Sequence, residues 1–167
     1  GFKVGGQHEG VIGINYGEFH FDGDQLTGGV LQFDMTDIVC TDLEGEKAAD
    51  LEGHLKNEDF FDSANHPKAT FTFDWTKNRG NYVDGGKVWQ VKGDLELKGL
   101  TDRLGATAVI TQEGDKIRIV GESEFNRVLY GITYKSKTIL GAAADKFIKD
   151  EIAIDFNLLA APVKVGN

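Results

Sequence analysis

The chain has 167 residues, with one cysteine, two prolines and 22 glycines, and its 27 acidic and 18 basic side chains leave a net charge of -9. A chain of this length can bury about two thirds of its unfolded surface without metal or disulfide, and we expect one domain over residues 1–167. The acidic balance, with no block of lysine or arginine, argues against nucleic acid as a partner, and no segment approaches the ~18 consecutive apolar residues of a membrane-spanning helix.

The glycines are spread between alternating apolar segments, which predicts many antiparallel strands with tight connections. Strands are expected at Glu9 to Asn15, at Glu18 to Asp22 and, after the turn Asp22-Gly23-Asp24, over Gly29 to Cys40. On them Phe19 and Phe21 share one face, as do Leu31, Phe33 and Met35, because successive strand side chains point to opposite sides. Cys40 lies in an apolar run and reads as a small buried hydrophobe. From Glu46 to Asp62 the apolar spacing changes to three and four, with Ala48, Leu51 and Leu55 among charges, which predicts a helix that breaks at Asn57 to Asp59. Phe60 and Phe61 then fall on a turn before Pro67, which biases His66 toward extended backbone.

Ala69 to Trp75 reads as a strand again, with Phe71, Phe73 and Trp75 on one face and Thr70, Thr72 and Asp74 on the other. Together with Phe60 and Phe61, that places five aromatic rings within sixteen residues. A turn-rich stretch, Thr76 to Gly86, leads to the clearest alternation, in which Trp89, Val91, Gly93, Leu95 and Leu97 oppose Gln90, Lys92, Asp94, Glu96 and Lys98. Strands at Arg103 to Gln112 and Lys116 to Phe125 are joined by the hairpin signal Glu113-Gly114-Asp115. A helical turn is expected at Ala142 to Lys146, and the last strand, Glu151 to Leu159, turns Ile152, Ile154, Phe156 and Leu158 inward. The fold class is therefore all-β, an eight-stranded antiparallel barrel with one or two short helices, a size at which the interior is either filled or holds one ligand.

Reactive chemistry finds little support. His8, His20, His54 and His66 lack the spacing of a zinc site on one element, so no metal is expected. Ser63, Ser123 and Ser136 stand in no nucleophile elbow, and Asp22-Gly23-Asp24 lacks the ligand run of a calcium loop. The protein is read as no enzyme. What remains is an apolar excess at inward positions, including eleven Phe and two Trp, compatible with a filled core or with a cavity for an apolar guest.

Leu26 to Gly29 leading to Phe33-Asp34-Met35, His54-Leu55 with Asp59 to Asp62, Pro67 to Phe71, Val91 to Thr101, and Asn126-Arg127 with Tyr130-Gly131 stand in an order and spacing that resembles the YceI-like family of polyisoprenoid-binding proteins. Leu129 and Tyr130 depart from the family's usual residues. The resemblance implies a lipocalin-like barrel around a long polyisoprenoid lipid, a polyprenyl phosphate or an isoprenoid quinone, in the periplasm or outside a bacterial cell, with no other cofactor. It implies a tunnel lined by Phe19, Phe21, Leu31, Phe33, Phe71, Phe73, Trp75, Trp89, Leu95, Leu97, Ile119 and Phe156, capped at one end by Phe60 and Phe61. Arg127, with His8 and Tyr134, is expected at the polar end, since arginine matches phosphate geometry; an ion pair from Arg127 to Asp145 or a neighbour is the competing expectation. A homodimer, and a place in a larger secreted chain, are both compatible with the sequence. The rival reading is a carbohydrate- or protein-interaction module in which Tyr82, Tyr130 and Trp75 form an exposed platform.

Overall fold

The computed structural model describes residues 7–140 and 147–163. Seven strands, β1 (Gly10–Asp22), β2 (Gln25–Cys40), β3 (Lys68–Asn81), β4 (Lys87–Leu97), β5 (Leu100–Glu113), β6 (Lys116–Asn126) and β7 (Glu151–Ala160), follow one another in the sheet in chain order. Every neighbouring pair is antiparallel, and the sheet curls into a nearly closed barrel whose edges are β1 and β7. Two-residue connections serve where glycine can take a positive φ: Gly23 (57°) joins β1 to β2, and Lys98 with Gly99 (51° and 75°) joins β4 to β5.

The described residues hold seven strands where eight are expected, because the first two are one. The ladder between β1 and β2 slips between Ile14 and Tyr16, so the irregularity at Asn15 is a bulge within a continuous strand. The same physics lengthens β3. Asn78 and Gly80, read as turn residues, form a second bulge: Gly80 takes φ 113° and its N–H donates to Asn78 Oδ1 at 2.7 Å, while pairing continues to Asn81 opposite Lys87.

Helix α1 (Gly45–Lys56) stops where Asn57 captures the next backbone donors. Its side-chain Oδ1 accepts from Asp59 N–H at 2.9 Å, and its carbonyl accepts from Phe60 at 3.2 Å and Asp62 at 2.8 Å. These bonds replace the helical ladder and wind the segment into a compact turn, so the helix ends at Lys56, where the break at Asn57 to Asp59 is expected. No α1 residue is fully buried, but Leu55 packs against the core. The turn is pinned to the sheet by Ser63, whose buried hydroxyl donates to Met35 O at 2.6 Å. A short α2 (Lys137–Leu140) follows, and the helical turn expected at Ala142 to Lys146 lies outside the described residues.

Gly93 marks a close approach of backbones. A Cβ there would collide with Thr72 O and Phe73 Cα, just where β3 slips against β4 between Phe73 and Trp75. Gly93→Ala should therefore lower unfolding stability by about 1–3 kcal/mol, the usual cost of overpacking. Gly53→Ala, where a Cβ in α1 meets no other group within 4 Å, should raise it by ~0.5–1 kcal/mol. Urea unfolding of the two variants gives both signs in one experiment.

Candidate functional site

Inside the barrel lies an apolar cavity of about 60 Å³. Its walls are Phe19 from β1; Leu26, Leu31 and Phe33 from β2; Phe71 and Phe73 from β3; Val91 and Leu95 from β4; Leu104, Ala106, Ala108 and Ile110 from β5; Ile119 and Ser123 from β6; and Ile154 and Phe156 from β7. Alternation puts most of them there, since each strand offers every second residue to the interior; Leu26 is out of phase with Leu31 and Phe33 because β2 slips against β1 at Thr27. Ser123 is the one polar side chain of the wall, and its hydroxyl already donates to Gly105 O at 2.7 Å. The lumen therefore presents hydrocarbon and aromatic faces and no charge. Phe73 stacks on Phe71 with ring centroids 5.8 Å apart and tilts against Phe19 at 6.1 Å.

The end of the barrel beneath α1 is plugged. Phe60 and Phe61 are buried, and Phe60 is surrounded by His54 at 5.0 Å and Tyr134 at 5.7 Å between ring centroids, with the Arg127 guanidinium 5.7 Å from its ring. Arg127 opens a 3-10 turn, Arg127–Tyr130, and is 0% exposed. Its Nε donates to Lys149 O at 2.9 Å, Nη1 to Ile132 O at 2.8 Å, and Nη2 to Ile148 O at 3.1 Å and Asp150 Oδ1 at 3.4 Å. Burial lowers the pKa of this guanidinium while the charges of Asp150 and Glu151 raise it, and an arginine stays cationic throughout. For Asp150, burial works against ionisation but is outweighed by hydrogen bonds from Ser136 and Thr138 and by the Arg127 charge, so its carboxyl is held below the usual range. Tyr130 fills the space beside this pair, 1% exposed and edge-on to Phe125 at 5.5 Å; burial, then the Asp102 charge, pushes its hydroxyl up to about 12.

Of the expected tunnel residues, Phe19, Leu31, Phe33, Phe71, Phe73, Leu95, Ile119 and Phe156 line the cavity. Trp89, Leu97, Phe60 and Phe61 are buried in the core without lining it. Trp75 does not face inward. The β3–β4 register passes from Phe73 opposite Gly93 to Trp75 opposite Lys92, so Asp74 is bulged and the parity inverts. Trp75 is 38% exposed, with Lys92 Nζ 5.0 Å from its ring, and Thr76 takes the inner position, its hydroxyl donating to Leu26 O at 2.6 Å. Phe21 lies opposite Leu26 near the end of β1 and is 41% exposed.

The three residues expected at a polar end do not form one. Arg127 is bound to backbone carbonyls and Asp150, Tyr134 packs on His54 at 4.6 Å, and His8 pairs with Asp42 at 3.1 Å. The carboxylate partner of Arg127 is thus a neighbour of the kind expected, Asp150, while Asp145 lies outside the described residues. Sequence reading left out the β5 wall, Leu104, Ala106, Ala108 and Ile110, although its alternation was visible; small alanines carry no weight in a search for aromatics. Among the described residues no three His, Cys, Asp or Glu side chains cluster as a metal site would require.

Sheet order, lumen and plugged end define a class: a small antiparallel β-barrel built around an apolar interior. Comparison with known proteins sharpens that. The YceI-like domain matches residues 2–160, and the chain belongs to that family. It is similar to Protein YceI of Escherichia coli, 34% identical over 114 residues that cover 65% of this chain and 55% of that protein. It is also similar to a UPF0312 protein of Shewanella denitrificans, 28% identical over 122 residues covering 70% and 59%. The chain thus spans a little over half the length of these relatives. Among solved structures, Burkholderia cenocepacia BcnA shares the fold with TM-score 0.69 at 19% identity, covering 87% of this chain and 83% of that one. A polyisoprenoid binding domain from Saccharophagus degradans implicated in plant cell wall breakdown shares it with TM-score 0.59 at 16% identity, covering 81% and 78%.

Removing one partner of the plugged end strands the other as a buried charge. Arg127→Met should cost about 3–5 kcal/mol in urea unfolding. The acid limb follows from the lowered carboxyl pKa values. Asp150 sits below its unfolded value, and Asp42 is lowered to about 2 by hydrogen bonds from the Cys40 thiol, the backbone and His8. Their stabilisation is complete above the unfolded value near ~4 and is lost as pH falls through the folded ones. Unfolding stability should drop between about pH 4 and pH 2, and Asp150→Asn should flatten that drop.

Proposed function

We propose that this protein binds a long polyisoprenoid lipid in its barrel and holds or carries it, without catalysis, in the periplasm or outside a bacterial cell. The observation that carries the reading is the lumen itself, an interior lined from all seven strands with no charged side chain and with its one hydroxyl already bonded. Such a site discriminates by hydrocarbon contact alone. Each isoprene unit buries five carbons, a gross gain of about 4 kcal/mol at ~0.8 per carbon, so several units outweigh the cost of ordering the chain. Family membership and the likeness to a domain described as polyisoprenoid binding support the same reading.

The lumen must widen to take such a tail, since an apolar cavity of about 150 Å³ is needed for a guest the size of benzene. The barrel can do so cheaply. Phe19, Phe33, Ile154 and Phe156 are only half-buried, and they stand on or next to β1 and β7, the two edges of the sheet. Spreading those walls breaks no ladder between β1 and β7. The polar head, whether quinone or phosphate, stays outside the lumen, because moving a charged or strongly polar group into it would go uncompensated.

The interaction-module reading has less behind it: of its three rings Tyr130 is buried, while Trp75, with Lys92 Nζ over its ring, and Tyr82 lie on the surface.

Titration with geranylgeraniol, followed by tryptophan emission, tests the reading. Wild-type protein should saturate at one ligand per chain. Ala108→Phe, which fills the lumen from β5, should weaken binding at least tenfold while leaving the far-UV circular dichroism of the barrel unchanged. Equal binding by the two folded proteins would place the ligand elsewhere.

A further inference from the structure

Two rings of the lumen lie on glycines. In the β2–β3 ladder Phe73 is directly opposite Gly29, and its Cε1 and Cζ atoms are 2.6 Å from where a Cβ on Gly29 would stand. In the β6–β7 ladder Phe156 is opposite Gly121, with Cζ 2.5 Å and Cε2 2.7 Å from the corresponding point. A ring whose tip covers the Cα of its cross-strand neighbour lies along the wall; over any larger residue it would have to stand up into the lumen. Neither glycine serves a turn. Both are in mid-strand and outside the positive-φ region, where glycine weakens a strand by about 0.5–1 kcal/mol; besides the rings, the neighbouring strands' Glu18 O and Thr107 O lie 2.5 and 2.2 Å from the same two points, so backbone and ring both exclude a side chain there. β3 and β7 are four strands apart in a seven-stranded barrel, which sets the two rings on facing walls of one cavity.

We infer that Phe73 and Phe156, seated on Gly29 and Gly121, are the specificity-determining residues of the lumen, bounding a flat slot that admits a linear isoprenoid tail and excludes a fused-ring lipid such as a sterol. The inference rests on the isoprenoid reading given above. A linear tail bends at its single bonds and passes between two facing rings at the thickness of one chain. A sterol nucleus is rigid and thicker, and it fits only if a ring is lost or lifted. Of the other lining rings, Phe71 faces Leu31 and Leu95, and Phe33 faces Ile14 and Ala69; Phe19 stands opposite Gly29 from the β1 side, but the ring atoms within 3 Å of the Cβ point are those of Phe73.

The test compares geranylgeraniol with cholesterol on wild type, Phe73→Leu and Phe156→Leu. Wild type should bind the linear alcohol at least tenfold more tightly than the sterol, a discrimination within reach of shape alone in an apolar pocket. Each variant should bind the sterol more tightly than wild type does and lose most of that preference. A preference unchanged in the folded variants would overturn the inference while leaving the isoprenoid reading intact. Failure of wild type to bind the alcohol at all would overturn both. A second readout needs neither ligand nor variant: protons facing an aromatic ring resonate upfield, so the Hα protons of Gly29 and Gly121 should be shifted upfield in the free protein. Ordinary Hα positions at both glycines would also overturn the seating on which the inference stands.

Discussion

A barrel wall gives its interior only every second residue, and the register of the backbone ladder decides which. Everything about the lumen depends on that parity. Along β4 and β5 it runs unbroken, and Val91 and Leu95 stand beside Leu104, Ala106 and Ala108. Along β3 it inverts at Asp74, sending Trp75 out and Thr76 in, and again at Arg79 beyond the lumen wall. One bulge therefore fixes the length of the aromatic wall. Had Trp75 pointed inward after Phe71 and Phe73, the lumen would hold another large ring; Thr76 takes that place and spends its hydroxyl on Leu26 O.

The plugged end solves a different problem. The chain must leave β6 and return along β7 without exposing the mouth of the barrel on the α1 side. Arg127 does this by collecting the carbonyls of Ile132, Ile148 and Lys149 and the carboxylate of Asp150 around one guanidinium. Buried ion pairs add little net stability against an apolar alternative, but they fix one geometry strongly, because every misplacement leaves a charge unpaired. Phe60 and Phe61, brought in by the turn after α1, then close the floor over this pair. Polarity is confined to the floor, and the walls above stay apolar.

Much of this was legible in the chain. Strict alternation in β4 and β7 announced their inward faces, the change of period at Glu46 announced α1, and the hairpin at Gly114 lies where its turn residues put it. What was not legible has a common cause. Asn15, Asp74 and Arg79 look locally like strand ends, ordinary strand residues or turn residues, yet each is a bulge whose existence depends on its partner strand. Two strands were therefore read where β1 is one, and a loop where β3 continues. Arginine chemistry misled in the same way. A guanidinium fits a phosphate and a carboxylate equally well, and nothing near Arg127 in sequence shows that Asp150, 23 residues on, is its partner.

Whether the apolar lumen holds one hydrocarbon tail is decided by organic extraction of the purified protein, followed by mass spectrometry of the extract. A polyisoprenoid species should appear at close to one molecule per chain, or at the same ratio after loading with a purified one. A protein that yields no such lipid and takes up none, while its barrel remains folded, would contradict that occupancy.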